Sequence, residues 1–217
     1  EVTKGDSAKI CSCDIEDVNE FTASHSINDR TRIFLKVQDG CDYNCSFCTI
    51  PMARGKSRSD SISNVIANVE AIAAKGAKEI VLTGINLGDF TSSPSLLQKE
   101  KGDAKTKANK DSNGNFFSLI KELDKVEGIE RFRISSIEPN LLTNEIIEFV
   151  SNSKKFMPHF HIPLQSGSDK ILGLMRRRYK KDLYTERIGL IKTMVPHCCI
   201  GVDVIVGFPG ETEEDFQ

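Results

Sequence analysis

Short apolar runs alternate along this chain with longer segments in which apolar residues recur every three or four positions. The runs predict strands at residues 33–38, 79–84, 131–136, 159–164 and 200–206. The periodic segments predict helices at residues 61–75, 116–126, 143–151, 168–175 and 182–194. Five strand–helix units in succession predict an α/β protein built on a parallel sheet or barrel.

The predicted strands also divide their side chains between two faces, because successive residues of a strand point in opposite directions. In the fourth strand, His159, His161 and Gln165 alternate with apolar residues. The polar positions of the other strands are Lys36, Gln38, Thr83, Arg133, Ser135 and Asp203. A closed eight-stranded barrel fills its interior with branched apolar side chains. A polar inner face therefore predicts an open or partial barrel with a wet site inside.

Composition and charge exclude some classes of protein. Of the 217 residues, 39% are hydrophobic and 28% are charged, and the net charge is −2. No apolar run approaches the roughly 20 residues that a bilayer-spanning helix needs, so we expect no membrane segment. The net charge gives no global signal for nucleic acid, so any RNA contact must depend on local basic patches. Seven cysteines without a secretory signal favour a reducing cytoplasm over a disulfide framework.

The chain divides into segments of different character. Residues 1–30 are polar and poorly periodic, and we interpret them as a leader or a remnant of an N-terminal domain and linker. Residues 31–217 form one predicted domain, interrupted at about 91–115 by a polar loop rich in Ser, Lys, Asp, Asn and Gly. Thr212 is a suitable N-cap for a helix at the end of the chain. We therefore expect a piece of a larger protein, ending after about the fifth strand.

The chemistry is concentrated in three cysteines, Cys41, Cys45 and Cys48, which directly follow the first predicted strand. Cysteine thiolates at short spacings on one loop are typical ligands of iron–sulfur clusters. Three thiolates would leave the fourth iron of a four-iron cluster open to a small molecule. Structural zinc is the alternative, and it would require a fourth ligand from Cys11, Cys13, Cys198, Cys199 or a distant histidine.

The cysteine spacing, with Phe47 before the last cysteine, resembles the signature of the radical S-adenosylmethionine (radical SAM) enzymes. Residues 37–55 resemble the methylthiotransferase branch of that family. Residues 82–89, Leu-Thr-Gly-Ile-Asn-Leu-Gly-Asp, are similar to the enzymes that act on threonylcarbamoyladenosine in tRNA. The resemblance runs from about residue 21 to 217. It implies a partial (β/α)6-type half barrel, with the last strand absent from this chain.

Ligands of such folds bind at the carboxyl ends of the parallel strands, where glycines and polar residues recur in this sequence. By resemblance, the turn with Gly84 and Asn86 takes the place of the motif that holds the methionyl amine of the cofactor. The other strand ends offer hydroxyl, carboxylate, amide and exposed backbone groups, although each alone could be an ordinary loop or cap. The predicted cofactor-binding residues are Phe47, Gly84, Asn86, Ser135, Glu138, Gln165 and Gly207. No catalytic side chain is identified.

The resemblance implies methylthiolation of C2 of threonylcarbamoyladenosine at position 37 of tRNA, with a [4Fe-4S] cluster and S-adenosylmethionine as cofactors. It implies a second [4Fe-4S] cluster, held outside this chain. The expected partners are the tRNA anticodon stem-loop and a reductant such as flavodoxin or ferredoxin, for a cytoplasmic monomer. The alternatives are methylthiolation of isopentenyladenosine in tRNA or of a ribosomal-protein aspartate, and two binding modules. One is an iron–sulfur electron-transfer module, and the other is a zinc-stabilised RNA-binding domain.

Overall fold

A computed structural model describes residues 13–18, 20–26, 32–92 and 114–217. Most of the predicted polar loop lies outside these ranges, although its two ends, Thr91 and Asn115, pair with each other. The strands are β1 (Ser24–His25), β2 (Ile33–Lys36), β3 (Gln38–Asp39), β4 (Arg58–Ser59), β5 (Glu79–Thr83), β6 (Arg131–Ile134), β7 (His159–His161) and β8 (Cys199–Gly201). The helices are α1 (Ile50–Arg54), α2 (Ile62–Ala74), α3 (Phe116–Lys125), α4 (Asn144–Asn152), α5 (Asp169–Leu174), α6 (Lys181–Met194) and α7 (Glu213–Phe216).

Five parallel strands follow one another in chain order. β2, β5 and β6 form one sheet, with β1 antiparallel on the outer edge of β2, and β7 pairs in parallel with β8. Backbone hydrogen bonds connect the two parts, because Phe132 N–H donates to Lys155 O (2.8 Å) and Ile137 N–H donates to His161 O (3.0 Å). The described strands do not close on themselves. This arrangement confirms the predicted α/β class and the partial half barrel.

The core lies between the outer face of the strands and the helices that cover them. Leu35, Ile80, Phe132 and Phe160 contribute one fully buried side chain from each of four parallel strands. Helix α2 illustrates how the sequence directs this packing. Its apolar residues lie on one face, Ser61 caps its first turn by accepting a hydrogen bond from Asn64 N–H, and Gly76 ends it with a left-handed backbone.

The inner face of the sheet is polar, as the alternation along the strands predicts. At the amino ends of β5 and β6, Glu79 accepts hydrogen bonds from Arg131 Nε (2.9 Å) and Arg133 Nε (2.8 Å). Burial alone would raise the pKa of Glu79, but the two guanidinium groups outweigh it and the pKa lies below its ordinary value. On the neighbouring pair of strands, His161 Nε2 lies 3.1 Å from Asp203. Charged and polar side chains therefore occupy positions that a closed barrel would fill with apolar side chains.

Four short elements were absent from the sequence-based prediction. They are β1, the antiparallel pair β3 and β4, and helix α1 between the pair. Strands of two residues carry no measurable periodicity, and β3 consists of the polar residues Gln38 and Asp39, both buried. Strand β1 lies within residues 1–30, so part of the predicted leader adds an edge strand to the sheet.

Candidate functional site

The cysteine loop, residues 40–49, connects β3 to α1 and depends on a glycine at its start. Gly40 has φ +70°, and a Cβ atom there would lie 2.0 Å from the carbonyl oxygen of Lys56. Only glycine tolerates both the left-handed backbone and this close approach. The next residue, Cys41, donates its backbone N–H to Gly55 O (3.1 Å), which fastens the start of the loop to the chain leaving α1. The loop is therefore closed at its base by backbone contacts.

The three thiols occupy separate positions on this loop. Cys45 is buried, whereas Cys41 and Cys48 are partly exposed. The Cys41 sulfur lies 3.4 Å from the backbone nitrogen of Tyr43, and burial raises the pKa of this thiol. Among the described residues, no three His, Cys, Asp or Glu side chains converge on a point where one metal ion could bind. Corner ligands of a cubane cluster bind different irons, so three cysteines need not converge on one point to hold such a cluster.

The cysteine loop packs against the turn between α5 and α6, residues 175–179, which we call the arginine turn. Ser46 contributes two contacts to this region, from its backbone N–H to Met175 O (3.2 Å) and from its hydroxyl to Leu174 O (2.9 Å). Arg178 donates to Asp42 O (3.3 Å) and places its guanidinium 3.8 Å from the centre of the Tyr43 ring. The arginine turn therefore fixes the middle of the loop that carries the thiols.

Arg177 is the arginine of this turn that points inward. Its side chain is only 5% exposed, and its NH1 group lies 3.3 Å from the Cys45 sulfur. The same guanidinium forms an ion pair with Glu138. Burial lowers the pKa of Arg177, but the Glu138 carboxylate outweighs it and raises the pKa above its ordinary value. Hydrogen bonds to cysteine sulfurs tune the reduction potential of iron–sulfur clusters, so this contact is chemically suited to a cluster ligand.

The arginine turn holds three consecutive arginines, residues 176–178, and the structure separates them. Arg176 and Arg178 are exposed, whereas Arg177 turns toward Cys45 because Arg176 adopts a left-handed backbone with φ 59°. The carboxylate of Glu138, one of the predicted cofactor-binding residues, is paired with Arg177. Its contact with a cofactor remains a prediction.

The other predicted cofactor residues lie on strand ends that are hydrogen-bonded in series. Val37 N–H donates to Thr83 O (2.9 Å), and Ser135 N–H donates to Leu82 O (3.2 Å). Farther along the same edge, Gln165 N–H donates to Asp203 O (2.9 Å). The structure therefore places the ends of neighbouring strands side by side, beginning at the strand that leads into the cysteine loop.

Gln38 connects the first two of these strand ends, and the sequence analysis did not single it out as a site residue. Its side chain is fully buried, and its amide nitrogen lies 2.8 Å from Gly40 O. Its amide oxygen accepts a hydrogen bond from Asn86 N–H (2.8 Å). A Cβ atom on Gly84 would lie 3.0 Å from that same oxygen, so glycine there admits Gln38. The signal that could have identified Gln38 from the sequence is a glutamine at the end of an apolar run, two residues before Gly40.

Asn86, a residue of the turn after β5, faces the cysteine loop. Its amide nitrogen is 4.0 Å from the Cys41 sulfur. Its amide oxygen is buried and finds no hydrogen-bond partner within the described part of the chain. A buried acceptor without a partner is costly, and it is a common feature of sites that bind a ligand. Asn86 can therefore accept a hydrogen bond from a bound amine.

The remaining predicted residues are nearer the rim. Phe47 is 40% exposed on the cysteine loop, which leaves its ring available to a ligand. Gln165 has φ 64°, and non-glycine residues in this region are often found at functional sites. Gly207 follows β8 with φ 72°, at the far edge of the described sheet and beside the exposed Val206. The structure brings Cys45 and Glu138 into contact with the arginine turn through Arg177.

Comparison with known proteins identifies the family. The sequence model of the Radical SAM superfamily matches residues 35–217. The chain belongs to the radical SAM superfamily. A solved structure of a radical SAM enzyme, the methyltransferase TsrM from Kitasatospora setae with cobalamin and a [4Fe-4S] cluster bound, has the same fold. Its TM-score is 0.62 at 16% identity, over 84% of this chain and 32% of TsrM.

Two curated relatives narrow the comparison within the radical SAM enzymes. This chain is 44% identical over 202 residues to the threonylcarbamoyladenosine tRNA methylthiotransferase MtaB of Bacillus subtilis, covering 93% of this chain and 40% of that protein. It is 35% identical over 184 residues to the tRNA-2-methylthio-N(6)-dimethylallyladenosine synthase of Streptomyces viridosporus, covering 85% of this chain and 33% of the synthase. The chain thus spans well under half the length of the curated relatives it matches.

Membership of this superfamily implies a [4Fe-4S] cluster and S-adenosylmethionine, as the cysteine spacing predicts. The roles of individual cofactor-binding residues remain predictions. In the described part of the chain, every helix is too short or too polar to span a bilayer.

Proposed function

We propose that the protein containing this chain methylthiolates C2 of threonylcarbamoyladenosine at position 37 of tRNA. The observation that carries the proposal is the cysteine loop, fastened by the arginine turn and adjoining a row of polar strand ends. The similarity of the chain to the Bacillus subtilis methylthiotransferase extends over 93% of its residues and supports this particular reaction. The expected partners are the anticodon stem-loop and a reductant such as flavodoxin or ferredoxin, in the cytoplasm and as a monomer.

In this proposal Cys41, Cys45 and Cys48 hold the cluster. The cluster and S-adenosylmethionine together would supply the radical chemistry that activates an unreactive carbon, and the protein would provide position and shielding. Arg177 donates to the Cys45 sulfur and fixes its direction. Asn86 offers its unpartnered oxygen to the methionyl amine of the cofactor.

The other strand ends complete the cofactor site in this proposal. Ser135 and Glu138 face the ribose hydroxyls, and Gln165 contributes amide groups from the next strand end. The exposed backbone around Gly207 pairs with the adenine edge. Phe47 covers the cofactor from the cysteine loop. A second cluster and the main tRNA-binding surface lie outside this chain.

The similarity to the Streptomyces synthase favours one second candidate, methylthiolation of the dimethylallyl (isopentenyl) form of the same adenosine. The full-length enzyme, reconstituted anaerobically, separates the two candidates when it is given anticodon stem-loops carrying either nucleoside. We expect a methylthio product, identified by mass spectrometry after nuclease digestion, from the threonylcarbamoyl substrate. Product from the dimethylallyl substrate alone would contradict the proposal. Product from neither, with S-adenosylmethionine still cleaved, would favour another acceptor.

A further inference from the structure

A cavity of about 470 Å³ opens beside the cysteine loop, on the inner face of the sheet. Its walls come from β1, β2, β3 and the turn after β5. Two of the lining residues, Gln38 and Gly84, also belong to the candidate cofactor site. A group bound in this cavity would therefore adjoin the bound cofactor. The cavity is separate from the contacts between the cysteine loop and the arginine turn.

Positive charge predominates in the walls of this cavity. The ionisable residues that line it are His25, Lys36, Asp39 and Arg54. Among the lining residues that the structure describes, Asp39 is the one carboxylate, and its side chain is 7% exposed. It lies 3.2 Å from Lys36 Nζ and 4.0 Å from Arg54 NH1. From outside the cavity, Arg58 approaches the same carboxylate to 3.5 Å. Three cations surround one anion, so the cluster carries a formal surplus of positive charge.

Lys36 is the cation best placed to receive a ligand. It ends the otherwise apolar strand β2 and lines the cavity, while Leu35 beside it lies in the core. Its ammonium group lies 5.2 Å from the centre of the Phe21 ring and its side chain is 26% exposed. An ammonium group has three donors, and the Asp39 contact uses one of them. The remaining donors can bind an anion that enters the cavity.

The two candidate nucleosides differ in the charge of the group attached to adenosine. The threonylcarbamoyl group carries a carboxylate, whereas the dimethylallyl group is a hydrocarbon. Removing a carboxylate from water is costly unless a cation and hydrogen bonds receive it, and a site built for a polar group discriminates strongly against an analogue that lacks it. We propose that Lys36, assisted by Arg54, binds the carboxylate of the threonylcarbamoyl group and selects this nucleoside as substrate. This inference rests on the proposed function.

The test uses the full-length enzyme with anticodon stem-loops that carry threonylcarbamoyladenosine, its carboxyl methyl ester or dimethylallyladenosine. The measured quantity is the ratio of kcat/KM for the acid to kcat/KM for the ester, which reports recognition of the charge alone. We expect Lys36→Met to lower this ratio at least tenfold, equivalent to about 1.4 kcal/mol. Lys36→Arg should retain most of the ratio, because it keeps the positive charge.

Two further variants make the test decisive. Lys78→Met removes an exposed cation that pairs with Glu130 and does not line the cavity, and the ratio should stay within twofold of the unmodified enzyme. Arg54 is 58% exposed, so Arg54→Gln tests the cavity with little risk to folding, and the ratio should fall about threefold. Equal losses on acid and ester in Lys36→Met, or a ratio near one in the unmodified enzyme, would overturn the proposal. Activity confined to dimethylallyladenosine would overturn the proposed function as well.

Discussion

The two ends of the sheet's inner face satisfy their polar groups differently. At the amino ends of β5 and β6, the Glu79 carboxylate accepts hydrogen bonds from two arginines, so its charge is fully engaged. At the carboxyl ends, the amide oxygens of Asn86 and Asn140 are buried without a partner in the described part of the chain. The Nε atom of Arg177 is in the same condition. The Glu79 cluster is complete as it stands, whereas the groups near the cysteine loop retain hydrogen-bonding capacity. At the start of β7, His159 Nδ1 is also buried without a partner among the described residues, so the amino end is not uniformly satisfied.

This difference leads us to expect the ligand beside the cysteine loop. A buried polar atom without a partner costs roughly 1–3 kcal/mol, and proteins generally retain such atoms where a ligand or water supplies the missing bond. Two of the residues with unsatisfied atoms, Asn86 and Arg177, lie near cysteines of the loop, and the loop itself is fixed by Gly40 and by the arginine turn. We therefore expect substitutions at the carboxyl ends to affect cofactor binding, and substitutions at the amino ends to affect stability alone.

The largest effect is expected from Gly40→Val. The new side chain would combine a left-handed backbone with a Cβ atom 2.0 Å from Lys56 O, so the base of the cysteine loop must rearrange. We expect the apoprotein to lose more than about 4 kcal/mol of unfolding free energy in urea denaturation, and anaerobic reconstitution to yield little iron. Gly76→Ala is the matched control, since its φ is +89° with no atom within 4 Å of the added Cβ. It should cost about 1 kcal/mol and leave iron uptake intact. Equal effects of the two changes would contradict this account of the loop.

Arg177→Met should have the next largest effect, because it leaves Glu138 partly buried beside Cys45 without its cation. We expect a loss of about 3 kcal/mol in the apoprotein, and a lower midpoint potential for the reconstituted cluster in a redox titration followed by electron paramagnetic resonance. Arg178→Met is the control from the same turn, since Arg178 contacts the loop backbone and the Tyr43 ring but no cysteine. A potential that shifts equally in both variants would argue against a specific Arg177–Cys45 contact.

Glu79→Gln tests the amino end and should cost about 2 kcal/mol at neutral pH. Because the folded-state pKa of Glu79 lies below its ordinary value, its stabilisation is present above the unfolded pKa of about 4.3 and is lost as the pH falls through the folded value. The difference in unfolding free energy from Glu79→Gln should therefore shrink between about pH 5 and pH 3. Glu122→Gln, in an exposed pair with Lys125, should change stability by less than about 0.5 kcal/mol. Impaired cluster assembly in Glu79→Gln would contradict the expectation that substitutions at the amino ends affect stability alone.

The sequence predicted the strands and helices of the fold better than the side-chain contacts of the site. The parallel strands and their helices follow from periodicity, and Cys41, Cys45 and Cys48 were evident from spacing. The inward direction of Arg177 was not, because it depends on one left-handed residue and on a contact with a cysteine 132 positions away. Gln38 was also missed as a site residue, since its bond to Asn86 exists only when two strands lie side by side. Local patterns thus specify elements, whereas the contacts between distant segments need the fold.

The central claim is that the cysteine loop holds one four-iron cluster, and iron and sulfide analysis after anaerobic reconstitution of this chain tests it most directly. The chain should take up about four iron and four sulfide ions. Cys45→Ala should lose most of both, whereas Cys198→Ala should retain them, because Cys198 is buried in the core away from the loop. Undiminished iron in Cys45→Ala, or one zinc ion in place of iron and sulfide, would contradict the assignment.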